Sequence, residues 1–567
     1  MNELSIEKIR NKFKDYNIQG YLVSSSDEFM SEYPNDFFQR LEHLTNFSCS
    51  NGYLLITNDE NIFFTDARYT HAAKLFFGEK AIVIDLKSIK DFNFDQHISS
   101  GAKIGYNPSI FNEQSVSLFN KLDLKETIDL VDQIWHNRPP EPISNAFLYE
   151  IKYAGENSHS KIARLRSYIQ GQSANSIFIT SPCSICWLLN IRGNDSEFSP
   201  IILSYLYVDL EQVIIFSKKR KWPENFDKDL IVKDIEDIET FLEGISRPII
   251  IPHDASIFLL SKIKKEFILS KDDPLIQMRS IKNNSEILGS QNAHIEDAVA
   301  LIESFAWIIQ NSNGKSEYEI SIKLKEFRAR SKLYIIDSFS PIVGFRENGA
   351  KIHYRPSPDE SLIISREGLL LIDSGGHYYG GTTDVTRVLV IGNALDAQKQ
   401  AYTRVLKGHI QLAMAKFPKN ISGANLDILA RKYLWDAGKD YGHGTGHGVG
   451  NALSVHEGPA SISPYSSKHA LKNGMILSNE PGYYEAGEYG IRIENLQFIK
   501  DANLSNFLEF EQLTLVPYSS DLIIKDLLSD DELSFIRTYY KKIKASLYNK
   551  LSDEARAYLD YEFKDYL

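Results

Sequence analysis

Five glycines alternate through Gly442-His443-Gly444-Thr445-Gly446-His447-Gly448-Val449-Gly450, and this run limits the fold more than any other stretch of the chain. A glycine inside a helix costs about 1 kcal/mol relative to alanine, so five of them at every second position argue against a helix. An extended strand accepts them, and the missing Cβ atoms let another backbone or a ligand approach closely. His443 and His447 stand four apart, a spacing that also suits paired zinc ligands on a helix. In a strand, residues four apart share a face, so both imidazoles can point into one cavity. No Glu follows His443, which excludes the HExxH zinc-protease motif. With His456, three of the fourteen histidines fall within fourteen consecutive residues, and eight of the fourteen lie beyond residue 290. Histidine chemistry is concentrated in the C-terminal half.

Acids accompany them. The segment GLLLIDSGGHYYGGTTDVTRVLVI has the pattern of a hairpin: Leu369 to Ile372 form one apolar arm, Val385 to Ile391 the other, and Gly375, Gly376, Gly380 and Gly381 mark the turn. Asp373 and Asp384 stand on opposite arms. Two close carboxylates repel and shift each other's pKa unless a cation lies between them. Either one alone also fits a turn Asp hydrogen-bonded to local N–H groups. Glu480 precedes Pro481-Gly482 at a strand-to-turn junction. In GIRIENLQF, Ile491 and Ile493 alternate with Arg492 and Glu494, a pair that by itself reads as a strand-face salt bridge. Taken together, four carboxylates and one imidazole make an oxygen-rich site for two divalent ions. Such hard donors suit Mn²⁺ better than a structural zinc, which favours Cys.

The rest of the sequence sets the frame. At 567 residues the chain predicts three or four domains. Its apolar fraction is 43% and its charged fraction 24%, values of ordinary globular proteins. A net charge of −12 gives no general attraction to phosphate backbones or anionic membranes, so neither nucleic acid nor a membrane is an expected partner. Three cysteines cannot build a disulfide framework and point to a reducing compartment. The start, MNELSIEKIRNKFKDY, lacks the apolar core of a signal peptide, and the expected location is the cytoplasm. Breaks are predicted at the Pro-rich run Asn137 to Pro142 and at the polar run Lys282 to Glu286. GYLLITND and NIFFTDARY read as consecutive strands. Ile295, Val299, Ile302, Ala306 and Ile309 form one helical apolar stripe. Cys183 and Cys186 read as two thiols in a buried strand, and Lys218 to Lys221 as a solvated loop. GGHYYGG lacks the Gly-Lys-Ser/Thr ending of a phosphate loop.

The motifs DSGGHYYGGTTDVTR, HGTGHGVG, SVHEGP, SNEPGYY and GIRIEN closely resemble those of the pita-bread metallopeptidases, specifically the long, three-domain Xaa-Pro aminopeptidases (aminopeptidase P). WLLNIRGNDSEFSPIILSY resembles the middle domain of that family, FFTDARY its N-terminal domain, and LTLVPY followed by LSDDELSFIRTYY its C-terminal extension. The resemblance implies an α/β (α+β) architecture: creatinase-like domains at 1–142 and 143–284, then a pita-bread catalytic domain with its extension at 285–567. It implies hydrolysis of the bond between an N-terminal residue and a following proline, through a hydroxide bridging two divalent ions, most often Mn²⁺, with Zn²⁺ or Co²⁺ as alternatives. The implied metal ligands are Asp373, Asp384, His447, Glu480 and Glu494, with Asp384 and Glu494 shared by both ions. Glu480, His353 and His456 carry the implied catalytic roles, and His443, His353, His456 and Arg68 the implied substrate contacts. The implied partners are peptides with proline second and another copy of the chain in a homodimer. Alternatives are a prolidase restricted to dipeptides, a methionine aminopeptidase, or a metal-free pita-bread scaffold. His377 is not a usual residue of the family and is expected to be a solvated turn histidine or to stand behind the metal ligands.

Overall fold

The computed structural model describes residues 1–365, 367–466 and 469–567. Internal contacts divide the chain into two compact units. One comprises Met1–Leu148, Glu156–Glu197 and Ile201–Leu275; the other comprises Tyr149–Gly155, Phe198–Pro200 and Ile276–Leu567.

The first unit contains two six-stranded sheets of identical topology. In the first sheet the strand order is Ile82–Asp85, Asn61–Thr65, Gly52–Thr57, Gly20–Ser24, Lys103–Tyr106, Asp123–Glu126. In the second it is Leu230–Asp234, Val213–Ser217, Ser204–Asp209, Ser176–Ile179, Ile249–Pro252, Ile268–Lys271. Each has an antiparallel centre flanked by parallel strands on both sides. GYLLITND and NIFFTDARY supply adjacent antiparallel strands, Gly52–Thr57 and Asn61–Thr65, as predicted. Two sequence expectations change here. Cys183 and Cys186 lie on the helix Pro182–Leu189, because Ser181 caps its N-terminus and Pro182 opens its first turn. Burial pushes the Cys186 thiol up to about 12, so it stays protonated. Arg220, read as part of a solvated loop, buries its guanidinium against the fully buried carboxylate of Asp195 at 2.7 Å.

The second unit opens with the helix Asn284–Asn311, started by a capping box between Asn283 and Glu286. Its buried face is wider than the predicted stripe. Ile302 and Ala306 are buried, Ile309 is half exposed, and Ala298, Leu301, Phe305 and Ile308 are also buried. Helices Glu317–Arg328 and Asp553–Phe563 both pack against this helix, which explains the extra width. One hydrophobic core joins these helices to Leu369–Ile372, Val385, Val388, Ile491, Ile493 and the C-terminal helix Asp530–Leu547. The arms Gly368–Ser374 and Val385–Ile391 pair antiparallel as the predicted hairpin, with Asp373 opposite Thr386. A second, four-stranded sheet runs Lys416–Pro418, Phe507–Gln512, Asn495–Asp501, Ile476–Asn479. Among the described residues no helix is long and apolar enough to cross a membrane.

Candidate metal centre

Carboxylates collect where the hairpin Gly368–Ser374 and Val385–Ile391 meets the four-stranded sheet of the second unit. Asp373 is the penultimate residue of its strand, and Asp384 immediately precedes the returning arm. Glu480 follows the strand Ile476–Asn479, and Glu494 occupies the step between Tyr489–Arg492 and Asn495–Asp501. The hairpin brings in the first pair and the ladder between Ile476–Asn479 and Asn495–Asp501 the second. Cross-sheet hydrogen bonds join the pairs: the Glu494 amide donates to the Thr386 carbonyl, and the Thr386 hydroxyl donates to Glu494 Oε2 at 2.8 Å.

His447 enters from the glycine run. Gly446–His447 forms a two-residue ladder with Ser461–Ile462. The expected extended strand is confined to these residues, because Arg431 captures the carbonyls of Tyr441 and His443 and holds the preceding stretch as a loop. Close approach is what the glycines permit: a Cβ on Gly446 would stand 2.1 Å from the Ser478 carbonyl oxygen, and one on Gly448 2.1 Å from that of Glu457. The His447 Nδ1–H donates to the Gly448 carbonyl at 2.9 Å, which leaves Nε2 with its lone pair facing Asp384 Oδ2 (3.5 Å) and Glu480 Oε1 (3.7 Å). Donor atoms of Asp384, His447 and Glu494 all lie within 4.8 Å of one another.

The electrostatics call for cations. Burial, then the neighbouring Asp373 and Glu480, hold the Asp384 carboxyl well above its usual range. Burial and Asp384 do the same to Glu494. Burial also raises Glu480, opposed by His447 and Arg492. Asp373 Oδ1 and Asp384 Oδ1 are buried and accept no hydrogen bond. Oxygen atoms of this kind are costly to bury unless a cation or donor meets them. Four acids, two bare oxygens and one imidazole with an open Nε2 fit a pair of divalent ions.

Arg492 makes a partner choice that its sequence neighbourhood did not reveal. It pairs with Asp373 Oδ2 at 2.6 Å instead of with Glu494, and donates from Nη1 to the Tyr484 hydroxyl at 2.7 Å. Tyr484 in turn donates to His443 Nε2 at 2.8 Å, since His443 Nδ1–H is committed to the Gly444 carbonyl. Burial, then Arg492, push the His443 imidazole down to about 3, so it is neutral. Its Nδ1 lies 4.0 Å from Glu480 Oε2, so both histidines of the glycine run face that acid. His456 packs edge-on to His447 with ring centroids 4.3 Å apart. The adjacent Glu457 is buried between Arg279 (2.5 Å) and Lys282.

His353 is half-buried on the irregular segment that follows the turn Arg346–Ala350. Arg68 belongs to the other unit, where Asp66 engages its guanidinium at 2.9 and 2.8 Å. His377 departs from the solvated reading: it is fully buried, accepts from Thr382 Oγ1 and donates to the Phe198 carbonyl, both at 2.9 Å. Behind Glu494, the buried Arg387 donates to the carbonyls of Glu494, Val516 and Pro517. Neither Arg387 nor Tyr484 was singled out from sequence, although the Arg of TDVTR and the second Tyr of EPGYY stand within the motifs themselves.

Comparison with known proteins identifies the family. Residues 290–501 match metallopeptidase family M24, and 506–566 match the C-terminal region of that family. Residues 5–135 and 137–286 each match a creatinase/prolidase N-terminal domain. Xaa-Pro aminopeptidase 1 of Dictyostelium discoideum is 36% identical, over 95% of this chain and 92% of that protein. Aminopeptidase P2 of Arabidopsis thaliana is 32% identical, over 95% and 85%. The crystal structure of X-prolyl aminopeptidase from Caenorhabditis elegans, described as a cytosolic enzyme with a di-nuclear active site, superposes with a TM-score of 0.93 at 27% identity, covering 100% of this chain and 99% of that one. Prolidase from Pyrococcus horikoshii covers only 63% of this chain, with a TM-score of 0.52 and 23% identity, a likeness of fold. Fold and site define a metallopeptidase. The chain belongs to the three-domain Xaa-Pro aminopeptidases of metallopeptidase family M24.

Proposed function

We propose that the chain is a metal-dependent aminopeptidase that removes an N-terminal residue standing before proline. The observation that carries this reading is the convergence of Asp384, His447 and Glu494 within 4.8 Å, with Asp373 and Glu480 directed at the same cluster. Asp373, Asp384, His447, Glu480 and Glu494 would hold two divalent ions in this reading, with Asp384 and Glu494 available to both. When bound, such ions supply positive charge that acidifies water and polarises a carbonyl.

The chain's own groups do the rest. Glu480 Oε1 takes the proton of the attacking water and passes it to the departing proline nitrogen, which must gain a proton to leave as an amine. Ser478 Oγ, donating to Oε1 at 3.2 Å, orients that carboxylate. The nitrogen is a tertiary amide with no N–H, so recognition rests on a pocket shaped for the ring. His443, His456 and His353 line that pocket, His353 orienting the carbonyl, and Arg68 contributes to peptide binding. His443 is suited to a wall because its ring is neutral and fixed by Tyr484. Manganese as the working metal, a homodimer, a cytoplasmic location and a division at 1–142, 143–284 and 285–567 complete the proposal. The two family matches to separate N-terminal domains support that division.

The test is cleavage of an X-Pro-X peptide by the purified chain before and after chelation, with metal content measured in parallel. Glu480→Gln and Asp384→Asn should each lose turnover. Near-wild-type activity of either variant with manganese ends the assignment, and a preference for X-Pro dipeptides over longer peptides turns the reading toward a prolidase.

A further inference from the structure

Glu317 is a fully buried carboxylate of the second unit whose side-chain hydrogen-bond partners all lie between residues 345 and 362. It is the first residue of the helix Glu317–Arg328, just after the N-cap Ser316. Its Oε1 accepts from the Phe345 amide at 2.6 Å and from Asn348 Nδ2 at 3.2 Å. Its Oε2 accepts from Asn348 Nδ2 at 3.0 Å, the Tyr354 hydroxyl at 2.7 Å and the Leu362 amide at 2.7 Å. Every one of these donors is neutral. The positive end of the helix also favours a carboxylate at this position. Burial, then Glu317 itself, raise the Tyr354 hydroxyl, which keeps it a proton donor.

The pattern of partners matters more than their number. Phe345 and Leu362 are the two ends of an irregular segment, Asn348 and Tyr354 lie within it, and His353 adjoins Tyr354. One carboxylate therefore closes the loop at both ends and grips it in the middle. The opposite side of the loop is fixed as well. A Cβ on Gly490 would stand 1.7 Å from the Gly349 carbonyl oxygen, so the turn Arg346–Ala350 lies flush on the strand that carries Arg492, the partner of Asp373. A charge is expensive to bury, and an apolar side chain would fill the space more cheaply. Its retention here matches a need to hold backbone and a phenol in register.

We infer that Glu317 is a positioning residue: it clamps the segment from Phe345 to Leu362 so that His353 is presented to the peptide. The role of His353 rests on the function proposed above, whereas the clamp itself is a property of the free protein, and two measurements separate them. The first is hydrogen exchange on the full chain without substrate. Glu317→Gln, which replaces one acceptor oxygen by a donor, should deprotect amides between 345 and 362 while leaving the strand Gly368–Ser374 protected. Unchanged exchange in that segment overturns the clamp whatever the enzyme cleaves.

The second is a double-mutant cycle on an X-Pro-X peptide with metal content measured for each variant. Glu317→Gln should lower kcat/KM by about ten-fold in the parent and by less than about two-fold in a His353→Ala background, with bound metal unchanged. An equal loss in both backgrounds, or none in the parent, overturns the positioning role. Tyr354→Phe removes a single hydrogen bond of the clamp and should show the same non-additivity if Glu317→Gln does not fold.

Discussion

A carboxylate buried with a bare oxygen is the most informative single residue here. Asp384 carries one, and its pKa is raised chiefly by burial and further by the crowding of Asp373 and Glu480. If Asp384 serves both ions as proposed, Asp384→Asn removes a charge and a shared ligand, so metal content should fall and kcat should drop by at least about 100-fold. Elemental analysis alongside turnover reads both, and full metal occupancy in the variant would contradict the role. A different residue contributes to the acid limb of stability. His294 donates Nδ1–H to the Ser290 carbonyl at 2.7 Å, while its Nε2 is buried and unpartnered. Burial lowers it from 6.5 to about 4. Above pH 6.5 both folded and unfolded chains hold this ring neutral and it contributes nothing. As pH falls from 6.5 toward 4 the unfolded chain takes up a proton that the native ring refuses, and stability is lost by up to about 3 kcal/mol. His294→Gln keeps a donor for Ser290 but cannot titrate there. Denaturant melts at pH 7 and pH 5 should show a smaller acid loss in the variant, and equal losses would refute the argument.

At the scale of elements, the sequence disclosed most where chemistry and periodicity coincide. The arms around Asp373 and Asp384 were legible because a run such as Leu369 to Ile372 has no reason to end in Asp unless the turn region uses it. The glycine run excluded a helix correctly, yet its strand was overestimated. What shortens it is Arg431 on the helix Ala424–Trp435, which binds the carbonyls of Tyr441 and His443 ten and twelve residues further on, a partner that the alternation of glycines does not report. The same limit hid the bond from Arg492 to Asp373 and the burial of His377, both of which depend on groups more than a hundred residues away. The duplicated sheet of the first unit was invisible for another reason: the two copies share strand order and direction, while their residues differ. The glycine run also yields a steric prediction. Gly446→Ala places a methyl group against the Ser478 backbone, which cannot retreat without moving Glu480 two residues on. The expected result is a loss of roughly 1–3 kcal/mol in stability together with weakened metal binding, measured by thermal melts with and without manganese. A variant with parental melting and parental metal affinity would show that the strand gives way freely.

For the whole molecule, the metal centre and the fold share one account. Ions that bind only the native state stabilise it by mass action, so chelation should lower the melting temperature in a manner that depends on free metal concentration. A melting curve insensitive to chelator would mean that the five ligands hold nothing. The core beneath them extends into the C-terminal helices: Ile536, Tyr539, Tyr540 and Ile543 share a cluster with Leu371, Val388 and Ile491. Tyr539 donates to the Thr514 and Val516 carbonyls and receives from Asn495, the neighbour of Glu494. All five proposed ligands therefore precede, in chain order, the residues that finish their support. On a translating ribosome the second unit lacks this backing until Tyr539 has emerged, so nascent chains stalled ahead of it should capture divalent metal less well than chains stalled beyond it.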